Sequence, residues 1–335
     1  MRITQELLLK YAQETVKRRL RGEMDLHAVY LTGSVLSDSP LLGGTTDIDM
    51  VFVHKFQVTD ARECKKLTPE ISLDIVHKLR NEYEAHKQLR LDPWVGYPLT
   101  NYHILVHDTD HWLEFIQSGV SANFHQPDIV LARVNGMFGA ARDRWFDLVQ
   151  APTEVYPDWL DQYLEILTLA ANAVTGLIGP PLTRRRFLMD FSERVETLGI
   201  PKVLAGFTGL LGCSNLKKDN LVEWTDAFQK DLITLAENGS APVHLLPCRH
   251  RYYVNAIRAM TESRSPEQAL WPLLRTWLDV QKALQKTTPQ SEVWEECLKS
   301  LSLTGETCSE KLEALDAYLD TLDLVIETWA KTYEH

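Results

Sequence analysis

Asp47 and Asp49 interrupt an apolar run that continues Met50-Val51-Phe52-Val53, and they leave the chain few ways to fold around them. Side chains alternate across a strand, so the two aspartates share one face with Cα atoms roughly 6.5 Å apart, while Ile48 and Met50 take the other. Like charges on one partly buried face raise each other's pKa unless something positive lies between them. A hard divalent cation held by carboxylate oxygens is the usual remedy. The alternative is that one aspartate caps a turn and the other faces water at a strand end.

Two further features bear on that choice. Upstream, the apolar run 28–31 leads into Thr32-Gly33-Ser34 and then a Gly/Ser/Thr/Pro-rich connection. Glycine permits φ > 0 and close backbone approach to a ligand, and a helix starting there presents N–H groups and a hydroxyl to phosphate oxygens. Downstream, alternation in Ile71-Ser72-Leu73-Asp74-Ile75-Val76 puts Leu73 and Ile75 on one side of a strand and Asp74 on the other. Three acids are therefore expected to converge.

Thr32-Gly33-Ser34, a spacer over 35–46, Asp47-Ile48-Asp49-Met50 and the later Asp74 together resemble the signature of the polymerase β-like nucleotidyltransferase superfamily. Thr32 departs slightly from the apolar preference at its position, and the resemblance covers about the first hundred residues. It implies the nucleotidyltransferase fold, a small mixed sheet with helices. It further implies that Asp47 and Asp49 hold Mg²⁺, two ions in all, and that Asp74 completes the site as metal ligand or general base. Gly33 and Ser34 are then expected to hold the β- and γ-phosphates of ATP or another nucleoside triphosphate. The implied reaction moves a nucleoside monophosphate, AMP if the donor is ATP, to a hydroxyl of a small-molecule acceptor and releases pyrophosphate. A long helical C-terminal region makes the layout similar to the small-molecule adenylyltransferases that modify aminoglycoside or lincosamide antibiotics, an analogy of arrangement in which a glutamate of the helical domain is the other possible base. A nucleotidyltransferase acting on protein or RNA, and a nucleotide-binding regulatory protein, stay open beside it.

With 335 residues and 44% hydrophobic content the chain is long enough for two cores. The expected class is α+β in two domains: a nucleotidyltransferase domain over 1–150 and an all-α helical bundle over 151–335 that binds substrate or nucleotide, joined by the Pro-containing turn 151–158. A first helix over 4–20, capped by Thr4, is expected to cover the sheet. Strands are expected over 72–77 and 102–107, a loop over 92–98, and helices over 110–117 and 127–149. Beyond residue 158 helical period dominates, with helices expected over 158–178, 183–198, 219–237, 250–262, 266–285, 291–300 and 309–333. In the last, Leu312, Leu315, Leu319, Leu322 and Ile326 form a stripe suited to a bundle core.

Net charge of −11 argues against a broad nucleic-acid footprint, which needs clustered Lys and Arg. The five cysteines are scattered and show neither CxxC nor paired-His spacing, so neither a zinc site nor a disulfide framework is indicated. The amphipathic, charged N-terminus lacks a secretory core, and no apolar run is long enough for a membrane span, which makes the cytoplasm the expected location. Oligomeric state is left open.

One feature of the helical half stands against simple electrostatics. After Gly179-Pro180-Pro181, a helix expected from Thr183 carries Arg184, Arg185 and Arg186 in its first turn, where positive charge opposes the macrodipole. The placement suggests that Arg184 and Arg186 answer to an anion, a nucleotide phosphate, which arginine pairs bidentately; the alternative is an intramolecular partner such as Asp190 or Glu193, or solvent.

Overall fold

A computed structural model of the chain describes residues 3–37, 39–150, 157–285 and 291–333. In chain order the first elements are α1 (Gln5–Arg19), β1 (Leu26–Thr32), β2 (Thr46–His54), β3 (Arg62–Lys66) and β4 (Ile71–Leu79). Next come α2 (His86–Leu91), α3 (Pro93–Leu99), β5 (Leu105–Asp108) and α4 (Trp112–Ser121). Helices make up the rest: α5 (Pro127–Gln150), α6 (Asp158–Thr175), α7 (Phe187–Thr197), α8 (Pro201–Leu210), α9 (Lys218–Glu237) and α10 (Pro247–Thr261). The chain closes with α11 (Leu270–Leu284), α12 (Glu292–Ser300) and α13 (Cys308–Lys331). A mixed sheet followed by helices is an α+β arrangement.

Two compact units emerge from the packing: Met1–Gln126 with Ala241–Ala256, and Pro127–Ser240 with Ile257–His335. The division therefore falls at 126/127 rather than at 150/151, and a segment of the helical half belongs with the sheet. The expected turn over 151–158 lies largely outside the described residues.

In the first unit the sheet runs β3-β4-β2-β1-β5, with β2 and β4 parallel and the other neighbours antiparallel. Alternation works as the sequence demands: Ile48, Met50, Leu73 and Ile75 are at most 1% exposed and join a core with Leu8, Ala12 and Val16 of α1. Thr4 caps α1 by accepting from the Leu7 N–H. Arg19, at the end of that helix, pairs with Glu23 and Glu63.

Two local expectations are corrected here, and one strand was not expected at all. The segment expected as a loop over 92–98 is helix α3, because the Asp92 carboxylate accepts from the Trp94 and Val95 N–H groups and Pro93 fills the first turn. The strand expected over 102–107 begins as a short 3-10 turn and becomes β5 only at Leu105. β3, Arg-Glu-Cys-Lys-Lys, has no apolar alternation to announce it; it is an edge strand of charged residues, a composition that discourages further pairing.

The second unit is helical. Leu312, Leu315, Leu319, Leu322 and Ile326 of α13 are buried as expected. Phe187, Phe191, Phe207 and Trp271 form an aromatic cluster that unites α7, α8 and α11. Helix α8 was not among the expected elements. Among the described residues no helix is long and apolar enough to cross a membrane.

Candidate active site

The acids meet because of strand register. Asp49 of β2 lies beside Asp74 of the parallel β4, and Asp47 lies beside Ser72. Asp47, Asp49 and Asp74 each offer a carboxylate oxygen, and the three oxygens lie within 4.8 Å of one another. Asp47 and Asp74 are each 2% exposed, and Asp49 is half-buried.

Gly33 closes one side of this cluster. The β1 partner of Asp49 is Thr32, so the chain turns out of the sheet beside the second aspartate. Gly33 adopts φ +70°, and a Cβ there would sit 2.0 Å from Asp49 Oδ2. Both conformation and space restrict the position to glycine. Ser34 follows in a short 3-10 turn, its hydroxyl 3.4 Å from that of Thr46 at the start of β2. The structure thus brings Gly33, Ser34, Asp47, Asp49 and Asp74 together.

Sequence reading did not identify the residues that balance their charge. Arg249, in the first turn of α10, donates from Nη2 to Asp47 Oδ2 at 2.9 Å and from Nη1 to Asp74 Oδ2 at 2.7 Å. Its guanidinium is 4% exposed and lies over the Tyr252 ring, 4.3 Å from the centroid. Arg62 of β3 adds a bidentate pair, Nε donating to Asp74 Oδ1 at 2.7 Å and Nη2 to Oδ2. Helix α10 begins three residues earlier than the helix expected from residue 250, and those added residues include Arg249. No spacing rule links residue 249 to residue 47; only the return of 241–256 to the first unit does.

Two signs of an unmet cation demand persist. Asp47 Oδ1 is buried and has no hydrogen-bond partner, as does the hydroxyl of its register partner Ser72. Burial, then repulsion from Asp47 and Asp74, pushes the Asp49 carboxyl well above its usual range despite the opposing charges of Arg249 and Arg62. An all-oxygen donor set with one orphaned oxygen and one destabilised carboxylate fits a hard divalent cation such as Mg²⁺. Asp74 contributes less freely, since both its oxygens already accept from arginine.

Arg184 and Arg186 belong to the second unit. The helix expected from Thr183 starts instead at Phe187, so Arg184 and Arg185 lie in the turn before it, while Arg186 is its N-cap and still meets the positive end of the dipole. That turn is organised by Asn172, whose side-chain oxygen accepts from the Leu182 N–H at 2.7 Å. Arg184 pairs with Asp279 of α11 rather than with Asp190 or Glu193. Arg186 is near enough to Asp190 to oppose the upward push that burial gives that carboxyl.

Among the histidines, His77 Nδ1 lies 2.8 Å from His54 Nε2, and His111 Nδ1 lies 2.7 Å from Glu114 Oε2. The cysteines are free thiols, yet Cys64 of β3 and Cys248 of α10 bring their sulfurs to 3.0 Å beside the arginine pairs.

The chain matches no protein-family model, and a search of curated proteins returns no match.

Proposed function

We propose that the first unit is a Mg²⁺-dependent nucleotidyltransferase domain of the polymerase β-like kind, moving a nucleoside monophosphate from ATP or another nucleoside triphosphate to a hydroxyl of a small-molecule acceptor. One observation carries the reading: three carboxylates on adjacent strands converge within 4.8 Å beside an obligatory glycine, and one of their oxygens is buried without a partner.

Asp47 Oδ1 and the Asp49 carboxylate are the groups that would hold the metal, with the remaining lone pair of Asp74 Oδ1 as a third donor. Bound magnesium supplies Lewis-acid polarisation of phosphate oxygens and charge neutralisation as pyrophosphate leaves. Gly33, lacking a Cβ, lets a phosphate approach the backbone next to Asp49, and the Ser34 hydroxyl is a donor at the same turn. Asp74 holds Arg62 and Arg249 in place, and Arg62, whose side chain is 42% exposed, is in reach of an anionic substrate while Arg249 is buried behind it.

The test is pyrophosphate release from Mg-ATP in the presence of a panel of hydroxylated cationic and neutral acceptors. Turnover that disappears in Asp49→Asn supports the assignment, and turnover that persists in that variant removes it. A nucleotide-binding regulatory protein is the second reading, favoured by the arginines already paired with Asp47 and Asp74. Calorimetric nucleotide binding without pyrophosphate release against any acceptor selects it.

A further inference from the structure

We infer that Cys64 and Cys248 form a reversible dithiol–disulfide pair that governs how firmly Arg249 holds the acidic cluster; the effect on the cluster rests on the metal reading above, the cross-link itself does not. The two sulfurs lie 3.0 Å apart, about 1 Å beyond the ~2.05 Å of an S–S bond, although the residues are 184 positions apart in the chain. Both side chains are half-buried, so a small oxidant reaches them without unfolding. Nothing in the acid, glycine and arginine arrangement uses either thiol.

The position of the pair gives it leverage. Cys64 on β3 is the register partner of Asp74 on β4. Cys248 immediately precedes Arg249, whose guanidinium grips Asp74 and Asp47. The sulfurs and the Arg249–Asp74 ion pair are therefore two ties between the first turn of α10 and the same rung of the sheet. In the thiol state the ion pairs to Asp74 and Asp47, two tyrosine ring contacts and local packing hold Arg249 there, and a divalent cation competes for the same carboxylates. A covalent bond at residue 248 keeps the guanidinium seated and makes the cation the weaker competitor.

With hydrogen peroxide as oxidant the chemistry balances. The sulfur of Cys248, at a helix N-terminus that favours its thiolate, attacks one peroxide oxygen; the O–O bond breaks, water leaves and a sulfenic acid remains. Cys64 sulfur then attacks the sulfenic sulfur, the S–O bond breaks, and a second water carries away the oxygen and the thiol proton. Two thiols lose two electrons and peroxide gains them. A small-molecule dithiol reverses the change by exchange through a mixed disulfide. Transient pairs of this kind are the form that cysteine oxidation takes in reducing compartments.

The experiment uses the full chain, treated with peroxide or with dithiothreitol, digested without reduction and mapped by mass spectrometry, with manganese affinity measured by calorimetry on both forms. The expected result is a peptide linked through Cys64 and Cys248 and at least about a tenfold loss of manganese affinity in the oxidised protein. Linkage makes the effect reciprocal, so in a thiol redox buffer saturating manganese shifts the equilibrium from disulfide toward dithiol. Cys64→Ser retains manganese binding and makes it indifferent to peroxide. Two thiols that both remain open to alkylation after peroxide overturn the pair, and equal manganese affinity in the two forms overturns its hold on the cluster. A cross-link formed in a protein that binds no manganese even when reduced leaves the pair standing and refutes the metal reading instead.

Discussion

Asp47 and Asp49 look equivalent in the sequence, and removing either is expected from the sequence to abolish transfer while leaving the fold intact. The structure separates them. Asp47 shares the buried Arg249 with Asp74. Breaking a buried ion pair from one side typically costs about 3–5 kcal/mol, so Asp47→Ala destabilises the protein on that scale. Among the described residues no hydrogen bond or ion pair stabilises the Asp49 carboxylate, and its two neighbours repel it. Two unit charges 4.8 Å apart at an effective dielectric constant of ~20 repel by about 3.5 kcal/mol, of which Arg249 and Arg62 offset a part. Asp49→Ala is therefore at least as stable as the parent protein in the absence of metal, by up to about 2 kcal/mol. The sign follows from linkage: the Asp49 pKa is raised on folding, so its contribution is intact below the unfolded value of about 3.9 and is lost as pH rises through the folded value. The advantage of Asp49→Ala accordingly widens from acid toward pH 8. Thermal unfolding in chelator at pH 8 measures the difference, expected to separate the two variants by roughly 10 °C at about 2–4 °C per kcal/mol. Saturating magnesium then raises the midpoint of the parent protein and of neither variant. Equal midpoints for the two variants in chelator would refute the assignment of Arg249 as the counter-charge of Asp47.

Other perturbations test separate parts of the structure. Gly33→Ala forces a side chain into the left-handed region and against Asp49 Oδ2; a loss of about 1–2 kcal/mol from the backbone alone is expected in denaturant unfolding, together with weakened manganese binding. Arg184→Glu places two acids together at Asp279, and because the pair is partly exposed the cost is about 1 kcal/mol, recovered in Arg184→Glu/Asp279→Arg. If Arg184 also contacts nucleotide, the same charge reversal raises the apparent KM for ATP; an unchanged KM restricts the residue to its pairing with Asp279. His27 is buried against Trp112 with neither ring nitrogen hydrogen-bonded, and burial followed by the charges of Arg80 and Lys55 lowers its pKa. Its contribution is whole above the unfolded value of about 6.5 and is lost as pH falls, so His27→Phe flattens the decline of the unfolding midpoint between neutral and mildly acid pH.

The parts of the molecule readable in advance are those whose physical cause lies within a few residues. Alternation alone put Asp47 and Asp49 on one face and Ile48 and Met50 on the other, and the same period aimed Asp74 away from Leu73 and Ile75. The Thr4 cap and the leucine stripe of α13 are likewise matters of near-neighbour geometry. Helix α3 was also legible, through Asp92-Pro93, but proline and glycine content pointed to a loop, and the cap outweighed it. Tertiary structure alone decided what neutralises the acids. Arg249 stands 202 residues from Asp47 and reaches it only because 241–256 folds back onto the sheet. The β3 edge strand, which supplies Arg62 and Cys64, has no pattern of its own and exists because β4 offers it a ladder. Charge compensation and sulfur proximity depend on which distant segments fill the remaining space beside the sheet, and no local period encodes that.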